Sequence, residues 1–147
     1  MSFLANILAE KAKQRSRAPC IYMTGHAGQE VPRLPDLLDF LDAGLIDIRF
    51  APNLSKQIQW RKDYLRRLLG SRYRHIPHLG NRLSRKTGQP SIQNLALGIK
   101  IITEMGANLL LMCECRSPEQ CHRAIISDSL KTEGFETEEI ADWNFRK

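Results

Sequence analysis

Short apolar runs of strand character alternate with longer stretches whose apolar residues recur at helical spacing. That alternation restricts the fold more than any other feature of the chain. CIYMT (20–24), LIDIRF (45–50), YRHI (73–76) and NLLLMC (108–113) read as four strands. Between the first two, RLPDLLDFLDAG (33–44) places Leu34, Leu37, Leu38 and Leu41 on one helical face, with Gly44 as a stop. SKQIQWRKDYLRRLLG (55–70) reads as a helix started by Ser55 and ended by Gly70, and IQNLALGIKIITEMG (92–106) as a long apolar one. PEQCHRAIISDSLKTEG (118–134) is a last helix before FETEEI (135–140), an edge strand. Such an order predicts an α/β fold, a three-layer sandwich around a mostly parallel sheet of about five strands. No repeat or linker divides the 147 residues, so we expect one domain over 1–147, with an α/β core at 18–142 behind an N-terminal helix or arm at 1–17.

In open sheets of this kind ligands bind beyond the carboxyl ends of the strands. Four of the predicted strands carry reactive side chains there. The first runs into Gly25 and His26, the second holds Asp47 and Arg49, the third leads from Tyr73 through His75 to His78 and Gly80, and the fourth ends in Cys113, Glu114 and Cys115. Arg49 beside Asp47 reads as a phosphate clamp oriented by a carboxylate, or as a buried ion pair. His75 and His78 bracket Pro77 and are candidate acid–base groups or structural histidines.

The densest chemistry lies in CECRSPEQCHR (113–123), with three of the four cysteines, one histidine and two arginines. Ser117, Pro118 and Gln120 match a capping box, which would put Cys121 in the first turn of a helix, where the dipole and Arg123 lower a thiol pKa. Cys121 is therefore a candidate nucleophile or metal ligand, with His122 adjacent; the plain alternative is a core thiol. Cys113 and Cys115 point to one side of a strand end and Glu114 to the other. With Cys121 they form a candidate zinc set that a histidine would complete, although C-x-C-x5-C is not the spacing of a zinc ribbon or knuckle. A redox pair of Cys113 and Cys115 lacks the C-x-x-C arrangement, and neither Cys115 nor Cys121 has the spacing to Arg123 that a phosphatase loop needs.

The formal net charge is +6, unevenly spread. Residues 61–86 hold nine basic side chains against Asp63, whereas 104–142 hold nine acids against Arg116, Arg123 and Lys131. A basic face favours polyanions, either nucleic acid or a phosphate-bearing small molecule, and the polar stretch at 80–91 reads as a loop or lid over such a ligand. No apolar run approaches the ~18 residues that span a bilayer, so no membrane partner is expected. At the start, apolar Phe3, Leu4, Ile7 and Leu8 precede the basic residues, the reverse of a signal peptide. A cytoplasmic setting with reduced cysteines follows as the expectation.

These stretches together resemble a family known as domain of unknown function 488, small α/β proteins with a Cys-x-Glu…Cys-His-Arg signature. The likeness rests on Tyr22-Met23-Thr24-Gly25-His26; on Asp47-Ile48-Arg49 with Pro52 and Ser55; on Tyr73 to Gly80; and on Cys113 with Cys121-His122-Arg123. It spans roughly residues 20–130 and departs at Cys115, where the family has glutamate. The resemblance implies a site built from Cys113, Cys115, Cys121, His122 and Arg123 on one side and Gly25, His26, Asp47, Arg49, Ser55, Tyr73, His75 and Gly80 on the other. The leading expectation is an enzyme acting on a nucleotide or nucleic acid, with Arg49 and Arg123 holding a phosphate or carboxylate. The alternatives are a non-catalytic nucleotide or nucleic-acid binder using the 61–86 face and a zinc-binding structural module. Oligomerisation is compatible with all three.

Overall fold

The computed structural model describes residues 19–82, 90–118 and 121–144. The expected N-terminal helix at 1–17, most of the loop at 80–91 and the capping residue Gln120 lie outside them. Among the described residues the chain forms one five-stranded, all-parallel sheet: β1 (Ile21–Gly25), β2 (Gly44–Asp47), β3 (Tyr73–His75), β4 (Leu109–Cys113) and β5 (Thr137–Glu139), in the order β3-β2-β4-β1-β5. Four helices connect them, α1 (Leu34–Leu41), α2 (Lys62–Leu69), α3 (Leu95–Glu104) and α4 (Arg123–Thr132). No helix among the described residues is long and apolar enough to cross a membrane.

The strand order explains the layering. From β1 to β2 to β3 the chain moves toward one edge of the sheet, and from β3 to β4 to β5 it moves back. Because parallel crossovers are right-handed, this reversal puts α1 and α2 on one face and α3 and α4 on the other. The two cores match: one joins Leu34, Leu37, Leu38, Leu65 and Leu69 to Leu45, Tyr73, Leu110 and Met112, and the other joins Ile99, Ile102, Ile126 and Leu130 to Ile21, Met23, Ile46 and Leu111. Buried on both faces, the central strand β4 is an unbroken apolar run rather than an alternating one. Each of its fully buried leucines contributes about 1.5–3 kcal/mol.

Three boundaries differ from the sequence-based expectation. α1 ends before Gly44, at Asp42 in a left-handed conformation, and Gly44 opens β2 instead. The expected helix at 55–70 is a short 3-10 turn (Ile58–Trp60) followed by α2, because burial of Trp60 and a bond from Arg61 Nε to the Ser55 carbonyl hold the approach in an irregular path. The last helix begins at Arg123, not Pro118. Cys121 thus occupies the turn before α4, with its N–H on the Pro118 carbonyl.

The register sets out the carboxyl edge: Gly25 lies beside Cys113, Met112 beside Asp47, and Asp47 beside His75. The helices following β1 and β2 lie on the opposite face from the one following β4. The gap beyond these three strand ends is therefore a topological switch point, the usual crevice of an open α/β sheet.

Candidate functional site

A cavity of about 780 Å³ occupies this crevice. His26 and Gly28 line it from beyond β1, Arg49, Phe50, Ser55 and Lys56 from beyond β2, Glu114 from beyond β4, and Asn81 and Arg82 from the loop after β3. Among the described residues its cations are Arg49, Lys56 and Arg82, and its acid is Glu114.

Arg49 is the most constrained of them. Asp47 is fully buried at the end of β2; its Oδ1 accepts from the Arg49 backbone N–H (3.1 Å) and Nε (2.8 Å), and its Oδ2 accepts from Arg49 Nη2 (2.7 Å). The Tyr73 hydroxyl donates to the same Oδ2 at 2.6 Å, and His75 Nε2 donates to the Arg49 carbonyl at 2.7 Å. Burial disfavours the Arg49 charge, but the Asp47 carboxylate outweighs it and raises the guanidinium pKa. Burial also raises the Tyr73 pKa, reinforced by Asp47, and lowers that of His75. Asp47, Tyr73 and His75 are thus spent on orienting Arg49 rather than lining the cavity. Gly80 serves the same segment, since a Cβ there would collide with the Phe50 backbone.

His26 stacks on Trp60, with ring centroids 4.3 Å apart and planes at 16°, and Trp60 meets Trp143 edge-on. Burial, then the Arg49 charge, lowers the His26 pKa to about 4, so the ring is neutral near pH 7. A guanidinium only donates; the 3.4 Å approach of Arg49 Nη1 therefore leaves the lone pair on His26 Nε2.

Behind this wall lies the thiol cluster. Cys113, Cys115 and Cys121 are buried, none is in a disulfide, and their sulfurs lie within 4.8 Å of one another, with Cys113 and Cys121 2.8 Å apart. The expected depression of the Cys121 pKa is reversed. Its bond with Cys113 lowers it, but Cys115 and burial outweigh that, and the helix start that would have helped lies two residues further on. Burial pushes the Cys113 thiol up strongly. His122 Nε2 lies 2.9 Å from the Ile48 carbonyl, an obligate acceptor, so Nε2 carries the proton and Nδ1 faces Cys121 Sγ at 3.6 Å. Burial lowers the His122 pKa, which keeps that nitrogen unprotonated near neutrality.

Arg123 is buried in the same turn, and its five donors are all engaged within the protein. Nε and Nη2 hold Glu139 Oε1 at 2.8 and 2.6 Å, Nη2 also reaches the Arg116 carbonyl, and Nη1 donates to the Cys115 carbonyl and to Cys113 Sγ at 3.0 Å. Nothing is left for a substrate phosphate, so Arg123 braces the 113–116 turn. Gly25 lets that turn close, because a Cβ there would overlap the Cys115 carbonyl oxygen.

The expected residues therefore gather at one edge but divide into two groups. Gly28, Phe50, Lys56 and Gln57 were not singled out from the sequence, whereas Glu114 was placed at the end of the fourth strand and Asn81 and Arg82 fall in the polar stretch at 80–91 that was read as a loop or lid. Trp60 and Glu139 left no local signal, since each acts across a long sequence separation. No family model, curated protein or solved structure matches the chain.

Proposed function

We propose that the protein is an enzyme acting on a nucleotide or other phosphate-bearing substrate seated in the cavity beyond β1, β2 and β4. One observation carries the reading: Arg49, fixed at both ends by a buried carboxylate, lines a basic cavity of about 780 Å³. That volume falls within the range of small-molecule sites. Three of the five Arg49 donors go to Asp47 and His26, which leaves part of the fork for an anionic oxygen. Phe50, 43% exposed beside Arg49, suits a nucleobase face. The neutral His26 ring, the Ser55 hydroxyl and Glu114 supply acid–base capacity in the wall. Kinship with the domain of unknown function 488 family, in which roles around DNA or nucleotides are suspected, belongs to the same proposal and gives a substrate class consistent with this lining.

A non-catalytic nucleotide binder is the second reading. It is favoured by the position of the thiols, which do not line the cavity. A panel of nucleoside mono-, di- and triphosphates, assayed in parallel for equilibrium binding and for turnover, separates the two. Binding with turnover supports the enzyme and binding alone the second reading; no binding of any phosphate-bearing probe contradicts both.

A further inference from the structure

We propose that Cys113, Cys115 and Cys121 form a binding site for one thiophilic divalent cation of the zinc type, with His122 Nδ1 as the fourth ligand. Three buried sulfurs within 4.8 Å of one another already approximate a coordination sphere. Thiolates bound to zinc at about 2.3 Å stand roughly 4 Å apart, so the cluster needs only local adjustment, Cys113 and Cys121 opening from 2.8 Å. The fold delivers the three from independent directions. Cys113 ends the central strand, Cys115 follows one residue on, and Cys121 returns through a turn closed by its own N–H on the Pro118 carbonyl.

The surroundings fit a metal better than three bare thiols. Three thiolates around a divalent ion carry one net negative charge, which buried protein must compensate. Arg123 supplies that compensation: its Nη1 already donates to Cys113 Sγ and clasps the Cys115 carbonyl. N–H donors on ligand sulfurs orient and stabilise thiolate–metal sites. His122 commits Nε2–H to the Ile48 carbonyl and turns Nδ1 toward Cys121 at 3.6 Å, the tautomer in which histidine ligates metals; it stands outside the 4.8 Å set of the three sulfurs and must turn inward to complete the sphere.

The test loads the reduced full-length chain with zinc chloride, removes excess, and measures metal content and X-ray absorption fine structure at the zinc edge. One equivalent per chain with three sulfur neighbours at about 2.3 Å and one nitrogen is expected. Cys115→Ser should weaken zinc binding by at least ~10-fold, whereas Cys20→Ser, remote from the cluster, should leave it unchanged. Substoichiometric zinc, fewer than three sulfur neighbours, or undiminished affinity in Cys115→Ser would overturn the assignment. The absorption measurement uses the unmodified chain, so the proposal stays testable if a variant fails to fold. Because cavity and cluster share no ligand residue, a negative result here leaves the phosphate-site reading standing.

Discussion

Asp47 Oδ1 and Oδ2 receive Arg49 Nε and Nη2 at 2.8 and 2.7 Å, so the two side chains, both at the end of β2, form a forked pair with its open side toward the cavity. The carboxylate is fully buried and the guanidinium nearly so. A pair of this kind is costly to break from one side, because the survivor is left as an uncompensated buried charge. Asp47→Ala should lower the free energy of unfolding by about 3–5 kcal/mol, read from denaturant midpoints. Tyr73→Phe, which removes one hydrogen bond to the same carboxylate, should cost about 1.5–3 kcal/mol. A loss below about 1 kcal/mol for Asp47→Ala would mean that the pair does not anchor the strand end.

Gly25→Ala tests whether the thiol turn is packed as closely as it stands. The added Cβ meets the Cys115 carbonyl, part of a backbone clamped by Arg123, so neither side yields cheaply. We expect a loss of about 3 kcal/mol or more in unfolding free energy. A thermal midpoint within a degree of the parent's would show that the turn moves freely.

How far the sequence could be read shows in these same elements. The alternation of runs, the buried strand at 108–113 and the gathering of strand ends were legible, because period and burial are local properties of the chain. The start of α4 was not. Ser117, Pro118 and Gln120 match a capping box, but Arg123 and its partner Glu139 hold residues 113–116 in a turn, and the helix begins only at Arg123. The same long-range pair turned an expected phosphate ligand into a brace. Asp47 and Arg49 stand two apart and could be read as an oriented clamp, whereas the His26–Trp60 stack joins residues 34 positions apart and left no local mark.

Stability should fall with acid in a defined window. His26 has its pKa lowered from 6.5 to about 4, so the unfolded chain takes up a proton first. Above pH 6.5 the group contributes no pH dependence. Between 6.5 and 4 the native state loses on the order of 3 kcal/mol relative to the unfolded state, and below about 4 the loss levels off because the native ring protonates too. His75 and His122, also lowered by burial, act in the same sense. Unfolding curves between pH 7.5 and 4 should show this slope, reduced in His26→Gln. An identical slope in that variant would assign the pH dependence elsewhere.

The central claim is that Arg49 holds the anionic group of a substrate. Its most direct test is calorimetric titration of adenosine monophosphate, as a probe, into the parent protein and into Arg49→Lys, which keeps a cation beside Asp47. Saturable one-to-one binding that weakens with salt is expected. Arg49→Lys should lose about tenfold or more in affinity, because an ammonium cannot grip Asp47 and a phosphate with one planar fork. Equal affinity in the two proteins would contradict it.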